Sequence, residues 1–236
     1  MAELYLADCY LKEFDSAVTR SEGNYVLLQD SAFYPESGGQ TGDTGYFVLE
    51  NGEKILVTAV KKEKGESRHY VERLIAVGTR VHGVIEWNAR YAHMRMHTAQ
   101  HVLSAIVLDE YGAETAGNQI HADESRMDFR PFEWTEEKQK LIEQRFNKII
   151  ESAAPVVFET VTRDEMMQRV DEKRRKLFER LPASIKSIRL VIIEGVDVCP
   201  CAGTHVKNVS EIGRIRIVGH ESKGENTVRL RFSLEK

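Results

Sequence analysis

The histidines of the segment RMHTAQHVLSA are the first residues whose spacing suits chemistry. His97 and His101 are four positions apart, so on a helix their imidazoles lie one turn apart on the same face. This arrangement lets both rings reach one metal ion, as it does in zinc hydrolases. His93 continues the same stripe and is a candidate third ligand. Such pairs also occur on ordinary exposed helix faces, so this one predicts a metal site only if other ligands join it.

A second pair lies about a hundred residues later, in VDVCPCAGTHV. Cys201 and His205 supply a thiolate and an imidazole, a mixture that zinc favours in four-coordinate sites. Gly203 between them predicts a tight loop rather than a helix. Cys199 is an alternative thiol, although its spacing to His205 is less usual. Alone, this pair is better explained by a buried free cysteine beside a surface histidine.

Together the two pairs offer three imidazoles and one thiolate, in a chain with only 8 His and 3 Cys. This coincidence predicts a bound Zn²⁺, because thiolate ligation favours zinc over magnesium or calcium. Zinc proteases of this helix type carry Glu directly after the first His as general base. Here that position is Thr98, which argues against peptidase chemistry.

Composition excludes several other classes of protein. The 236 residues are 42% hydrophobic and 30% charged, and no run approaches the ~20 apolar residues of a membrane span. The acidic N-terminus has no apolar run typical of a signal peptide. An odd, small number of cysteines favours a reducing compartment, so we expect a cytoplasmic protein. Residues 161–236 hold 16 Lys and Arg against 11 Asp and Glu, a basic balance that permits contact with a phosphate backbone.

The pattern of elements predicts an α+β protein of two domains. Residues 1–88 contain short runs rich in β-branched and aromatic residues around a glycine-rich segment, SGGQTGDTG, and predict a small β-barrel. Residues 89–236 predict a larger domain of helices and antiparallel sheet. Helices are expected from an N-cap at Asn88 to Gly112, from Thr135, and from a capping box at Thr162 to about Arg180. Three strands follow, of which the last two are expected to form a hairpin.

With these motifs in place, the chain resembles a known family. HTAQH and CAGTH are similar to the His-x-x-x-His and Cys-x-x-x-His motifs of the editing domain of alanyl-tRNA synthetase and of the free-standing alanyl-tRNA editing proteins of the AlaX group. GNQIHADESRMDF extends the likeness in the second half. In the first half, FYPESGGQTGDTG resembles the glycine-rich motif of the two-domain members. The resemblance covers nearly the whole chain.

The resemblance implies a stand-alone hydrolase that removes serine, and in some members glycine, from mischarged tRNA(Ala). A synthetase pocket for alanine cannot exclude glycine by size and rejects the hydroxyl of serine only weakly, so a second, hydrolytic site supplies the selectivity. The family's zinc ligands fall on His97, His101, Cys201 and His205. Four protein ligands usually close a site, whereas catalysis uses an open position. Zinc therefore expands to five-coordinate, releases one ligand, or only positions the substrate.

Further site residues follow from the same resemblance. Those expected near the bound amino acid and terminal adenosine are Gly38, Gly39, Gln40, Thr115, Asn118 and Gln119; for each, an ordinary turn is the alternative. The densest basic run, expected at the tRNA backbone, is Lys173, Arg174, Arg175 and Lys176, for which a solvated helix face is the alternative.

Two rival interpretations stay open at this point. One is an RNA-binding module in which zinc is purely structural and catalysis is absent. The other is an editing fragment of a longer alanyl-tRNA synthetase.

Overall fold

The computed structural model describes residues 1–175 and 185–235. Two compact units make up the chain, Met1–Met94 and Arg95–Lys236. The division falls inside one long helix, whereas the sequence places the domain boundary near residue 88, which stays a prediction. Helices and antiparallel sheets occur together, so the predicted α+β class is confirmed. Among the described residues, no helix is long and apolar enough to span a membrane.

The first unit contains eight strands, a short 3₁₀ helix at Leu4–Leu6 and the start of the long helix. In chain order these elements are β1 (Ala2–Glu3), β2 (Glu13–Glu22), β3 (Tyr25–Leu28), β4 (Asp30–Ser31), β5 (Gly45–Leu49), β6 (Lys54–Glu63), β7 (Glu66–Val71), β8 (Arg80–Ile85) and α1 (Trp87–Tyr111). Six of the strands close a barrel in the order β2-β3-β7-β6-β5-β8, as the sequence predicts for this half.

Alternation along the strands fills the barrel. In β6, Ile55 and Val57 are buried while their neighbours Leu56 and Thr58 face outward. The core they join is aliphatic and aromatic, with Phe33 and Phe47 packed edge to face. Closure needs close approach of β8 to β2, where a Cβ at Gly83 would lie 2.5 Å from the Phe14 ring. Glycine at this position therefore lets the barrel close.

A buried ion pair anchors the glycine-rich segment within this unit. Asp43 accepts hydrogen bonds from the Arg90 guanidinium and, at 2.6 Å, from the Tyr34 backbone N–H. Arg90 also donates to the carbonyls of Cys9 and Ala32, so the charged groups are satisfied although both side chains are almost fully buried. The sequence alone indicates no role for Asp43. The structure assigns it to holding this loop.

His69 lies inside the barrel and is expected to make the stability of the first unit sensitive to acid. It is fully buried, with Nε2 2.7 Å from the Ser31 hydroxyl and Nδ1 3.4 Å from the Val26 carbonyl. Burial lowers the pKa of His69 from 6.5 to about 4, because the charged ring loses its hydration.

The folded protein keeps the His69 ring neutral, so protonation of the ring favours the unfolded chain. In the unfolded chain the ring is protonated below pH ~6.5, so folding stability is complete above that pH and falls as the pH drops to about 4, by up to about 3 kcal/mol. Urea unfolding at pH 7 and pH 5 should show this loss, and His69→Gln should remove most of the difference. His82 is a matched control on the barrel surface, where its hydrogen bond to Asp15 raises its pKa. If His69→Gln lost as much stability between pH 7 and pH 5 as wild type does, His69 would not be the group responsible.

The described part of the second unit contains the rest of α1 and two antiparallel sheets. Its other elements are β9 (Glu114–Gln119), β10 (Ser125–Arg130), α2 (Glu136–Glu151), β11 (Val156–Thr162), α3 (Arg163–Arg169), α4 (Glu172–Arg175), β12 (Ser187–Ile193), β13 (Asp197–Pro200), a 3₁₀ helix (Val209–Glu211), β14 (Ile215–Ser222) and β15 (Val228–Leu234). One sheet has the order β14-β15-β10-β9 and the other β11-β12-β13. The predicted terminal hairpin is β14–β15, which is confirmed.

Helix α2 protects the free edge of the larger sheet. Glu143 and Asn147 accept hydrogen bonds from the backbone N–H groups of Ile217 and Ile215, at 2.7 and 3.2 Å. Gln139 donates to the Ile217 carbonyl at 3.2 Å. An edge strand left open would be a template for pairing with another chain, so these side chains stand in for a neighbouring strand.

The helix ends agree with the sequence in part. Thr135 caps α2, Thr162 forms the predicted capping box, and Gly112 follows α1 with a positive φ of 66°. Two details were wrong. Asn88 is not the N-cap, because α1 begins at Trp87 and its first turn closes on the Glu86 carbonyl. The third helix does not run unbroken to Arg180, because α3 ends at Arg169 and Val170 is extended.

Candidate metal centre

Helix α1 supplies the first two donors of the centre. His97 and His101 are both nearly buried, and their ring centroids are 5.3 Å apart, as expected for side chains one turn apart. Between and beyond them, Ala99, Val102 and Leu103 are fully buried. The middle of α1 is therefore packed on all sides, which fixes the two imidazoles.

The loop after β13 supplies the other two donors. Strand β12 orders this loop, because the Cys201 backbone N–H donates to the Arg189 carbonyl at 3.1 Å. The Arg189 guanidinium in turn donates to the carbonyls of Cys201 and Gly203, at 2.9 and 3.1 Å, and packs 4.0 Å from the Phe158 ring centroid. His205 is buried beside Cys201, and the chain bends at Gly203 in a loop rather than a helix, as expected from the sequence.

The four side chains meet in one cluster. One ligand atom from each of His97, His101, Cys201 and His205 lies within 4.8 Å of the others. The Cys201 sulfur is 3.6 Å from His97 Nε2 and 3.4 Å from His205 Nε2. A tetrahedral zinc with usual bond lengths separates sulfur and nitrogen ligands by ~3.5 Å. The donor types and these separations both fit Zn²⁺.

Two further residues orient the rings from behind. Asp197 Oδ2 is 2.9 Å from His101 Nδ1, and the Thr98 hydroxyl is 3.2 Å from His205 Nδ1. The Val206 backbone N–H donates to the same hydroxyl at 3.2 Å. Metal-binding histidines commonly use their second nitrogen in this way, which leaves Nε2 for the metal. The sequence alone indicates neither role, although Thr98 lies between the two histidines.

The charges of the cluster favour a thiolate. Burial raises the pKa of the Cys201 thiol, but the charges of His97 and His205 and hydrogen bonds from His101 and His205 outweigh burial and hold it well below its usual range. Burial lowers the pKa of His101, and the hydrogen bonds to Asp197 and Cys201 reverse this and raise it to about 10. Burial and the charge of His97 keep the pKa of His205 well below its ordinary value. These charges therefore favour the thiolate, which is the form of sulfur that binds metal.

The remaining candidate ligands lie outside this set of four. Cys199 groups with His101 and Asp197 instead, and burial raises its pKa well above the usual range. His93 is on the part of α1 that belongs to the first unit and is not in the cluster. Cys201 is thus the thiol that joins the three imidazoles.

The candidates for amino-acid recognition lie on β9. The Thr115 hydroxyl is 2.7 Å from the hydroxyl of Ser104, which follows His101 by one turn on the same face of α1. Asn118 pairs with Met127 of β10, and Gln119 accepts from Arg126 at 3.0 Å. The structure therefore brings Thr115 to the helix face that carries the histidines. Ser104 has no motif that could have identified it.

The glycine-rich candidates belong to the first unit. Gly38 and Gly39 both have positive φ, 58° and 87°, in the turn that links Ser37 and Gln40 by backbone hydrogen bonds. Gln40 is buried. The glycines therefore serve a tight turn, and a role at the substrate stays a prediction.

The basic run has a mixed outcome. Lys173 is exposed, whereas Arg174 contacts Asp109 and Asp197, both at 3.1 Å, and Arg175 donates to the Met167 carbonyl. Lys176 lies outside the described residues. The guanidinium groups that the sequence assigns to RNA are thus engaged by groups of the protein.

Comparison with known proteins agrees with this architecture. Residues 5–89 match the family described as tRNA synthetases class II (A), and residues 188–231 match the threonyl and alanyl tRNA synthetase second additional domain. The chain is 40% identical to the alanyl-tRNA editing protein AlaX-M of Methanosarcina mazei, over 98% of this chain and 95% of that protein. It is 39% identical to AlaX-M of Saccharolobus solfataricus, over 99% and 98%.

Longer proteins match the same region. The alanine–tRNA ligase of Thermoplasma acidophilum is 36% identical over 98% of this chain but only 26% of its own length. The match to the AlaX-M proteins, in contrast, covers nearly the whole of both chains. The chain belongs to the family of alanyl-tRNA editing proteins, in its AlaX-M group.

Proposed function

We propose that this aminoacyl-tRNA deacylase removes serine from mischarged tRNA(Ala), and glycine more slowly, at a zinc centre formed by His97, His101, Cys201 and His205. The observation that carries the proposal is the meeting of these four donors within 4.8 Å, in a chain of the alanyl-tRNA editing family. We also propose that it works in the cytoplasm, a reducing compartment that suits its three free cysteines.

Neighbouring side chains of the same chain hold the four proposed zinc ligands in place. Zinc bound there would supply a Lewis acid that polarises an ester carbonyl or lowers the pKa of a water molecule. Asp197 and Thr98 hold the rings of His101 and His205, so the donors need little rearrangement to bind a metal ion. Cys201 is the least buried of the four, and we propose that the substrate approaches from its side.

The hydroxyl pair on β9 and α1 suits recognition of serine. Thr115 is exposed and Ser104 is half-buried, so their hydroxyls are available to a ligand beside the histidine face of α1. The serine hydroxyl both donates and accepts hydrogen bonds, whereas alanine offers only a methyl group. A site built to bind a hydroxyl discriminates strongly against the analogue that lacks it. We propose Asn118 and Gln119 as further polar groups of this region.

Contacts with the rest of the tRNA are assigned more coarsely. Lys173 is exposed and carries an amine without an ion pair among the described residues, which suits a phosphate contact. We keep Gly38, Gly39 and Gln40 as candidates for the terminal adenosine, because glycine lets a ligand approach the backbone closely.

A deacylation assay with three substrates tests the proposal. We expect wild type to release serine from Ser-tRNA(Ala), to act more slowly on Gly-tRNA(Ala), and to act on Ala-tRNA(Ala) at least about 100-fold more slowly. The control is His97→Ala, with zinc content measured in both proteins; it should lose the activity and the metal. Failure of the folded, zinc-loaded wild type to release any amino acid would refute the enzymatic function and favour a structural zinc module that binds RNA.

A further inference from the structure

The carboxylate of Asp197 lies between the metal centre and the charged segment α4. Its side chain is only 5% exposed, and its two oxygens have different partners. Oδ2 is 2.9 Å from His101 Nδ1, and Oδ1 is 3.1 Å from Arg174 Nε. A buried carboxylate is costly unless paired, and here an arginine on one side and an imidazole on the other satisfy it.

Arg174 is fixed in turn by helix α1. Its second guanidinium nitrogen is 3.1 Å from Asp109 Oδ1, eight residues after His101 on the same helix. The Arg174 side chain is only 17% exposed. One guanidinium therefore connects α4, the start of β13 and α1, and all three connections lie within the second unit.

From this geometry we propose that Arg174 and Asp197 are positioning residues of the metal centre. Arg174 holds the carboxylate of Asp197, and that carboxylate holds the imidazole of His101. Arginine only donates hydrogen bonds, so it holds Asp197 with one oxygen facing the guanidinium and the other facing the imidazole. An acceptor at Nδ1 fixes the proton on that nitrogen and leaves Nε2 free to bind the metal. The basic residue that the sequence assigns to RNA thus acts inside the protein.

The direction of these hydrogen bonds gives an unusual expectation for Asp197→Asn. Arg174 would attract the carbonyl oxygen of the new asparagine, which turns its NH₂ group toward His101. Nδ1 would then have to accept, and the proton would move to Nε2, where it blocks the metal. We expect zinc affinity to fall by roughly 10–100-fold, the usual effect of losing such a partner.

Removing Arg174 as well should restore part of the zinc affinity that Asp197→Asn loses. In the double variant Arg174→Met/Asp197→Asn, the amide is free to rotate and to present its oxygen to His101. We expect this variant to bind zinc more tightly than Asp197→Asn alone, and Arg174→Met alone to lose less than about 10-fold. A purely structural ion pair would give the opposite order, because a second lesion would add to the first.

The experiment measures zinc affinity of the full chain by competition with a chelating dye, and the absorption bands of the Co²⁺-substituted protein as a report on the four ligands. Arg169→Gln is the matched control, because Arg169 is exposed and pairs with Glu159 at 2.6 Å, away from the cluster; it should bind zinc like wild type. Thermal unfolding of each variant checks that it is folded.

The possible outcomes separate this inference from the proposed function on which it rests. If wild type itself binds no zinc, the proposed centre fails. If wild type binds zinc and folded Asp197→Asn binds it equally well, only the positioning role fails. Unchanged zinc affinity in Arg174→Met together with weaker binding of uncharged tRNA(Ala) would overturn the role of Arg174 and assign it to RNA. Higher zinc affinity in the double variant than in Asp197→Asn supports the inference.

Discussion

Replacing Cys201 by Ala is expected to remove zinc and deacylation together, whereas the same change at Cys199 should leave both nearly intact. The two cysteines are two residues apart, yet only the sulfur of Cys201 lies at 3.4–3.6 Å from the Nε2 atoms of His97 and His205. Cys199 groups with His101 and Asp197 and has a raised pKa, which disfavours the thiolate that binds metal.

The size of the effect follows from the loss of a ligand. Even residues that only orient ligands cost roughly 10–100-fold when they are changed, so removing the thiolate should reduce the rate by more than about 100-fold. Serine release from Ser-tRNA(Ala) and zinc content are measured in parallel for wild type, Cys201→Ala and Cys199→Ala. Full deacylation with zinc retained in Cys201→Ala would eliminate Cys201 as a ligand, and loss of both in Cys199→Ala would exchange the two assignments.

The same proteins distinguish a catalytic metal from a structural one. After treatment with a chelator, a catalytic centre should lose activity while the circular dichroism of the second unit is kept. A structural zinc would take the fold with it, because its binding energy is then part of the folding energy. Several features of this unit stabilise it independently of a metal, including the buried middle of α1 and the cap that α2 places on β14. We therefore expect activity to be lost first.

The sequence was most informative where chemistry depends on spacing along one element. The relation between His97 and His101 follows from helix geometry alone. The non-helical loop expected at Gly203 is also present, as a bend of the chain. The meeting of the two pairs was an inference from their rarity, and the fold then places the loop after β13 against α1. Capping residues such as Thr135 and Thr162 were also readable, because their hydrogen bonds are local.

Interactions between residues that are far apart in the sequence could not be predicted in the same way. Strand β9, with the sequence ETAGNQ, lacks the apolar alternation of a strand and exists because it pairs with β10. Asp197 looks like any loop carboxylate until the fold places it beside His101. The environment of Arg174 could not be predicted either. Its neighbours in sequence suggest a solvated basic face, whereas its neighbours in space are two carboxylates.

The largest effect on stability is expected at Asp43, whose carboxylate neutralises the buried guanidinium of Arg90. Asp43→Ala leaves Arg90 charged and unpaired in the interior and removes the acceptor for the Tyr34 N–H. Breaking a buried pair on one side typically costs about 3–5 kcal/mol, a large share of the total stability of a domain. The turn that contains Gly38 and Gly39 should lose order as well, because Asp43 anchors the segment that follows it.

Urea unfolding measures this cost in the first unit alone. The chain has two tryptophans, of which Trp87 lies in the first unit and Trp134 in the second. In a Trp134→Phe background the fluorescence therefore reports on the surroundings of Trp87. Arg20→Ala is the matched control, because Arg20 pairs with Glu66 on the partly exposed barrel surface, where solvent screens an ion pair and its contribution to stability is small.

A variant that removes both charges tests the cause of the loss. Arg90→Met with Asp43→Leu eliminates the unpaired charge, so it should recover part of the stability lost in Asp43→Ala. Recovery should be incomplete, because Arg90 also donates to the carbonyls of Cys9 and Ala32 at 3.0 and 2.7 Å. Each buried group left without a partner costs about 1–3 kcal/mol. If Asp43→Ala instead unfolds at the same urea concentration as Arg20→Ala, then the buried pair does not hold the glycine-rich segment in place.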